Sequence, residues 1–313
     1  MPLVVEKLSI STSTYSVVKE AFLRVEKGKR VAVVGESGSG KSLTALSILK
    51  LLPESLKVSG KVEVDGTNVL ALKGKELRNF RWKKVAMVFQ DPSASLNPLM
   101  KVKDQIGEAI LYHGIAPKEE VEGRVLELLK MVNVPEPEEK MNAYPHHLSG
   151  GLKQRVAIAM ALACDPDYLI ADEPTTALDV TVQARILELL KELSNSKNMG
   201  ILLITHDMGV VWEFAEEVFV MYAGYTVEAG RTEELFKNPL HPYTKGLIEC
   251  SPRLKGGKKR KLPYIPGSVP EPSEVQKGCP FYPRCPIAKD ICEKEIPPAV
   301  KADGRVVRCF LID

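Results

Sequence analysis

Gly35-Glu36-Ser37-Gly38-Ser39-Gly40-Lys41-Ser42 is the stretch from which the fold is read. It follows the apolar run Val31-Ala32-Val33-Val34 and leads into Leu43-Thr44-Ala45-Leu46-Ser47-Ile48-Leu49, which has helical spacing. Strand, glycine loop and helix in that order form the context a phosphate-binding loop requires. The glycines let the backbone turn sharply and bring the N–H groups from Gly35 through Ser37, Gly38, Ser39 and Gly40 against phosphate oxygens. The helix start adds its partial positive charge. Lys41 then reaches the terminal phosphates, the Ser42 hydroxyl holds a magnesium ion, and Thr44 joins the set. The bland alternative is a glycine turn that binds nothing; the flanking strand and helix weigh against it.

Working outward, residues 3–34 read as β-rich, with Tyr15 in the polar turn Ser11–Ser16. A turn at Asp65-Gly66 and a short charged helix near Lys75–Phe80 lead to the strand Val85-Ala86-Met87-Val88-Phe89. That strand ends at Gln90-Asp91-Pro92, and ligands bind beyond strand ends in an α/β sheet. From Leu99 to about Cys164 the pattern becomes helical, with one stripe of Ile106, Ala109 and Ile110 and another of Val121, Val125, Leu128, Leu129 and Val132. A helical block between strands predicts an inserted helical subdomain over about 91–164.

Leu148-Ser149-Gly150-Gly151 opens a helix, which makes it either a second anion site or an ordinary serine N-cap. Tyr168–Ala171 is an apolar strand ending in Asp172-Glu173. Two adjacent carboxylates there call for a shared cation or proton: Asp172 to orient magnesium and Glu173 to polarise a water. Ala177-Leu178-Asp179 precedes a long helix. The buried strand Ile201–Ile204 ends in Thr205-His206-Asp207, where His206 either contacts the same ligand or is a surface histidine. Strand patterns at Val218–Met221 and Thr226–Ala229 precede amphipathic pieces near Thr232–Phe236 and Pro242–Glu249.

The order of these segments resembles that of ATP-binding cassette (ABC) ATPases over roughly residues 3–235. Three longer stretches, Phe89–Pro98, Asp172–Ala184 and His241–Thr244, resemble the ATP-binding subunits of dipeptide and oligopeptide importers. Leu152 stands where the commonest signature has glutamine, which is more like the D-type member of a paired D and F set. The resemblance implies an α/β fold: a P-loop NTPase core with a RecA-like mixed sheet, an antiparallel β subdomain, the inserted helical subdomain, and a loop-rich C-terminal cysteine module. It divides the chain into a nucleotide-binding domain at 1–250 and an extension at 251–313.

The resemblance also implies a mechanism. ATP and Mg2+ would lie between one chain's phosphate loop and a partner's Ser149-Gly150-Gly151. Ser42, Gln90 and Asp172 would surround the magnesium, and Glu173 and His206 would align the attacking water. Asp179 belongs to the nucleotide set, and Tyr15 lies where an aromatic stacks on adenine. The implied partners are an F-type paralogue forming a heterodimer, two membrane permease subunits and an extracellular or periplasmic solute-binding protein. The chain would then sit on the cytoplasmic face of the membrane, driving import of peptides or related solutes such as oligosaccharides.

Composition is compatible with this. Among 313 residues, 43 basic against 40 acidic leave a net charge of +3, too small to argue for nucleic acid. No run approaches the ~18 apolar residues of a membrane span, and the first twenty residues lack a secretory core. Beyond Cys250 the composition shifts: the last 63 residues hold ten of the 22 prolines and four of the six cysteines. The run Lys255-Gly256-Gly257-Lys258-Lys259-Arg260-Lys261 reads as a solvated linker or a contact with anionic lipid.

Cys279, Cys285, Cys292 and Cys309 suit an iron–sulfur cluster or a zinc ion. Their spacings exceed those of tight zinc pairs and fit the bulkier cluster better, and the resemblance, in which some members carry [4Fe–4S] here, points the same way. Zinc, or thiols that stay reduced or pair as disulfides, are the alternatives. Two other functions compete with the transporter reading: a soluble cassette acting on nucleic acid or ribosomes, and a nucleotide-binding scaffold without turnover. The first usually carries two cassettes, a coiled coil or extended basic surfaces; Glu173 and His206 argue against the second.

Overall fold

The computed structural model describes residues 1–251, 264–274 and 277–312; the basic run Lys255–Lys261 lies outside them. In chain order the strands are β1 (Leu3–Ser11), β2 (Ser16–Val25), β3 (Arg30–Val34), β4 (Lys57–Val64), β5 (Thr67–Asn68), β6 (Val85–Val88), β7 (Tyr168–Asp172), β8 (Gly200–Thr205), β9 (Glu217–Tyr222), β10 (Tyr225–Arg231), β11 (Val300–Ala302) and β12 (Arg305–Val307). The chain forms two compact units.

The first unit comprises Met1–Glu26, Arg30–Leu70 and Leu203–Asp313. One sheet has the order β2-β1-β4-β5 and is antiparallel throughout, with Leu3 opposite both Val25 and Val64. Its buried residues recur with the period of two that a half-buried strand requires: Leu3, Val5, Leu8 and Ile10 on β1 are essentially inaccessible. In a second sheet β3 runs parallel to β9, and β10, β12 and β11 continue antiparallel from it. Val31–Val34 are buried on both faces, as a strand covered on two sides must be. Thr226 Oγ1 joins the sheets, accepting from Phe22 N at 3.1 Å and donating to Phe22 O at 3.0 Å.

The residues after 250, expected as an appended extension, contribute to this unit directly. β12 pairs with Glu228 and Ala229 of β10. Arg305 reaches Glu228, which is fully buried and also accepts from Leu240 N and His241 N at 3.0 and 2.9 Å. Burial pushes the Glu228 carboxyl above its ordinary pKa; those backbone donors and Arg305 pull the other way.

The second unit comprises Lys27–Lys29 and Ala71–Leu202. Its strands β6 and β7 are parallel, with Val85 opposite Tyr168 and Val88 opposite Ala171. β6 stops at Val88, leaving Phe89 43% exposed. The helical block contains Val102–Tyr112 and Val121–Met131, which bury the two expected stripes, and Gly150–Ala161. Gln105, 5% exposed, pins the preceding loop: it accepts from Asn97 N and donates to Asn97 O and Met100 O at 2.9–3.0 Å. Helix Val180–Lys197 follows β7, and β8 carries the chain from the second unit into the first.

Candidate functional site

In the first unit, β3 delivers the chain to the phosphate loop and helix Lys41–Ile48 receives it. Gly35 passes so close to β9 that a Cβ there would stand 2.1 Å from Met221 O. Gly40, at φ 97°, occupies the left-handed region just before the helix. Lys41 is only 7% exposed, and its Nζ folds back over the loop. It donates to Gly35 O at 2.8 Å and Glu36 O at 2.9 Å, and lies 3.4 Å from Ser39 Oγ. These acceptors are uncharged, so the ammonium can exchange them for phosphate oxygens at a gain in charge pairing. Ser42 is exposed at the first turn of the helix. Thr44 is buried instead, its hydroxyl donating to Gly40 O at 2.9 Å; it braces the loop from beneath.

Also in this unit, His206 is exposed directly after β8, and Asp207 caps the next helix through Gly209 N at 2.7 Å. Tyr15 is 38% exposed in the β1–β2 turn and borders a hollow of about 680 Å³ shared with Lys19, Tyr225 and Arg308.

In the second unit, Asp172 ends β7 and is 5% exposed. Glu173 follows at φ 46° and Ala177 at φ 63°, two non-glycine residues in the left-handed region within one loop. Such backbone persists only where the surroundings over-determine it, and it concentrates at functional sites. The Glu173 carboxylate accepts from Gln90 Nε2 at 3.1 Å and from Thr176 Oγ1 at 2.8 Å. Thr176 carries no sequence signal beyond its place in the Asp172–Ala184 stretch. Asp179 caps helix Val180–Lys197, accepting from Thr181 N and Val182 N at 3.0 Å each.

Ser149 and Gly150 are exposed at the start of helix Gly150–Ala161, with Ser149 Oγ accepting from Leu152 N at 3.4 Å. Gly151 has a packing reason as well, since a Cβ there would meet Val182 Cγ1 at 2.6 Å. Ser149 is therefore the N-cap of this helix, at an exposed helix start.

All four tail cysteines border one cavity in the first unit, with Phe281, Phe310 and Leu311 among its walls. It has room for about one water-sized sphere. Among the described residues no three His, Cys, Asp or Glu side chains stand close enough to hold a metal ion. Burial pushes the Cys279 thiol up to about 11 and raises Cys285 and Cys309 as well, so without a cation they stay protonated. His241 borders the same cavity; burial holds its imidazole down to about 3, neutral, with Nδ1 accepting from Tyr243 N at 3.1 Å.

The family profile described as ABC transporter matches residues 18–176. The chain belongs to the ABC transporter ATPase family. A second profile, described as the oligopeptide/dipeptide transporter C-terminal region, matches residues 227–292. The oligopeptide transport ATP-binding protein AppD of Bacillus subtilis is 49% identical over 298 residues, covering 92% of this chain and 89% of that protein. DppD of the same organism, a dipeptide transport ATP-binding protein, is 45% identical over 99% of this chain and 94% of its own. Among solved structures, the ATP-binding cassette MJ0796, dimeric and bound to ADP and Pi after hydrolysis, is 31% identical. It superposes with a TM-score of 0.65 over 74% of this chain and 99% of that one. This ABC ATPase therefore has the α/β cassette fold expected from its segment order. No helix among the described residues is long and apolar enough to cross a membrane.

Proposed function

We propose that this ATPase energises import of peptides through membrane permease subunits fed by a solute-binding protein. The observation that carries the reading is the Lys41 ammonium, buried and folded over a glycine loop at the end of β3. The relatives named for oligopeptide and dipeptide transport supply the cargo class; oligosaccharides are the related alternative. The site sits on the membrane's cytoplasmic face, where ATP is available.

In this mechanism Lys41 and the loop amides draw charge from the β- and γ-phosphates, and Ser42, Gln90 and Asp172 would hold magnesium. Magnesium, when bound, would neutralise phosphate charge. Glu173, oriented by Gln90 and Thr176, polarises the attacking water, and His206 holds the γ-phosphate in line. Tyr15 stacks on adenine. Ser149 and Gly150 of a second cassette close on the γ-phosphate, with Asp179 nearby. The exposure of Ser149 and Gly150 leaves them accessible to such a partner. Leu152 favours an F-type paralogue, hence two unequal sites. Closure on ATP and release after hydrolysis shift the pair between two states. The domain assignment 1–250 with a helical subdomain over about 91–164 and an extension over 251–313 belongs to the same reading.

The four tail cysteines are assigned to a [4Fe–4S] cluster. All four cysteines border one cavity, and four thiols are the donor set such a cluster takes. The cavity has room for about one water-sized sphere, so the assignment requires the cysteine loops to move apart to take a cluster. Anaerobically purified protein should contain about four iron and four sulfide per chain; stoichiometric zinc without iron overturns the assignment.

The transport reading is tested in proteoliposomes carrying the permeases and a partner ATPase. Peptide-loaded solute receptor should stimulate hydrolysis and K41A should abolish it. Wild-type hydrolysis that no receptor or peptide affects would reject importer coupling.

A further inference from the structure

We propose that Arg284, from the cysteine-bearing tail, is a positioning residue of the phosphate loop: it neutralises Glu36 and, through Glu36, fixes the seat of Lys41. The inference rests on the reading of Gly35–Ser42 as the ATP cradle.

Glu36 is the second residue of that cradle. A carboxylate there opposes a triphosphate, because like charges brought together out of bulk water repel strongly. The fold supplies a specific answer. Arg284 Nη1 and Nη2 meet the two Glu36 carboxylate oxygens at 2.6 and 2.9 Å, a fork-on-fork pair. The Arg284 side chain is only 4% exposed and that of Glu36 32%, so water screens the pair weakly from one side.

Other contacts fix the guanidinium. Nε donates to Pro266 O at 2.8 Å, and Nη1 lies 3.3 Å from Tyr222 Oη. The Tyr222 and Phe281 rings stand 5.7 and 6.0 Å away. Glu36 is held through its main chain too, since Glu36 N donates to Tyr243 Oη at 2.9 Å. Tyr243 is fully buried and packs on Tyr222 and Phe281.

Side chain and amide of Glu36 are thus gripped from outside the loop, and the Glu36 carbonyl accepts from Lys41 Nζ. Arg284 therefore acts on Lys41 through one residue. It immediately precedes Cys285, so the grip on Glu36 comes from within the cysteine segment.

The test uses the assembled transporter and compares wild type, R284M, E36Q and R284M/E36Q. R284M leaves an unpaired carboxylate beside the phosphates, and KM for ATP should rise about tenfold with kcat changed less than twofold. Adding E36Q removes that charge, so the double variant should recover most of the loss. R284K should fall between wild type and R284M, and with R284K/E36Q it decides the matter if R284M does not fold. An unchanged KM in R284M, or a rise that E36Q fails to relieve, overturns the proposal and leaves Arg284 a fastener of the tail alone. Wild-type complex that binds no ATP would instead overturn the cradle reading.

Discussion

Gln90 Nε2 donates to the Glu173 carboxylate at 3.1 Å, joining the end of β6 to the end of β7. The bond fixes a carboxylate whose backbone is already held in the left-handed region. A residue that only terminated a strand would need neither constraint. Glutamine here acts on the carboxylate that follows the neighbouring parallel strand.

Glu173→Gln should retain ATP affinity within about threefold and lower hydrolysis by at least ~100-fold, as removal of a general base does. It should also accumulate the closed pair. Nucleotide titration, phosphate release and size-exclusion chromatography with ATP check the three outcomes.

Gly35→Ala and Gly38→Ala should differ. At Gly35 the new methyl meets Met221 O at 2.1 Å, so the loop must move; nucleotide binding should be lost, with ~1–3 kcal/mol of stability. At Gly38 nothing lies within 4 Å, and only the φ of 81° is unfavourable, costing ~1 kcal/mol. Denaturation and nucleotide titration on both variants make the comparison.

Ser149→Arg should leave ATP binding by the isolated chain within about twofold, because on the proposed reading the exposed tip would serve a partner's nucleotide. Hydrolysis by the assembled pair should drop at least ~10-fold through lost oxyanion-type stabilisation. Parallel binding and turnover assays separate the effects.

Asp167 carries two lysines, Lys27 Nζ at 2.8 Å and Lys84 Nζ at 2.7 Å. Burial pushes its carboxyl up, but the two hydrogen-bonded ammonium groups outweigh that and hold it below its ordinary value of 3.8. A carboxyl depressed by folding adds stability above its unfolded pKa and loses it as pH falls through the folded one. Asp167→Asn should therefore cost ~1 kcal/mol at pH 7, and the difference should fade as pH drops through the carboxylate range. Urea unfolding across that range shows whether the curves converge.

The sequence disclosed the elements whose signals are local. Val31–Val34, the glycines and the helix from Lys41 form one continuous pattern, and the stripes at Ile106 and Val125 repeat at helical spacing. Asp179 reads from the sequence only as part of the nucleotide set; its capping of Thr181 N and Val182 N emerges with the structure. Long-range partnerships left no trace. Arg305 gives no sign of the buried Glu228, 77 residues earlier, that it pairs with. The strands β11 and β12 are three residues each, too short for a periodic signal. Arg284 looks like any arginine between Pro283 and Cys285 until Glu36, 248 residues away, is placed against it. Nor does any residue type announce the left-handed backbone at Glu173 and Ala177, where glycine or asparagine is the usual mark.

That separation has a consequence for biosynthesis. Glu36 emerges from the ribosome early, and the arginine that quiets its charge emerges long afterwards. A nascent chain halted before residue 284 has made Glu36 but not the guanidinium that pairs with it. Translation order alone therefore delays the Glu36–Arg284 pair until the tail has been made.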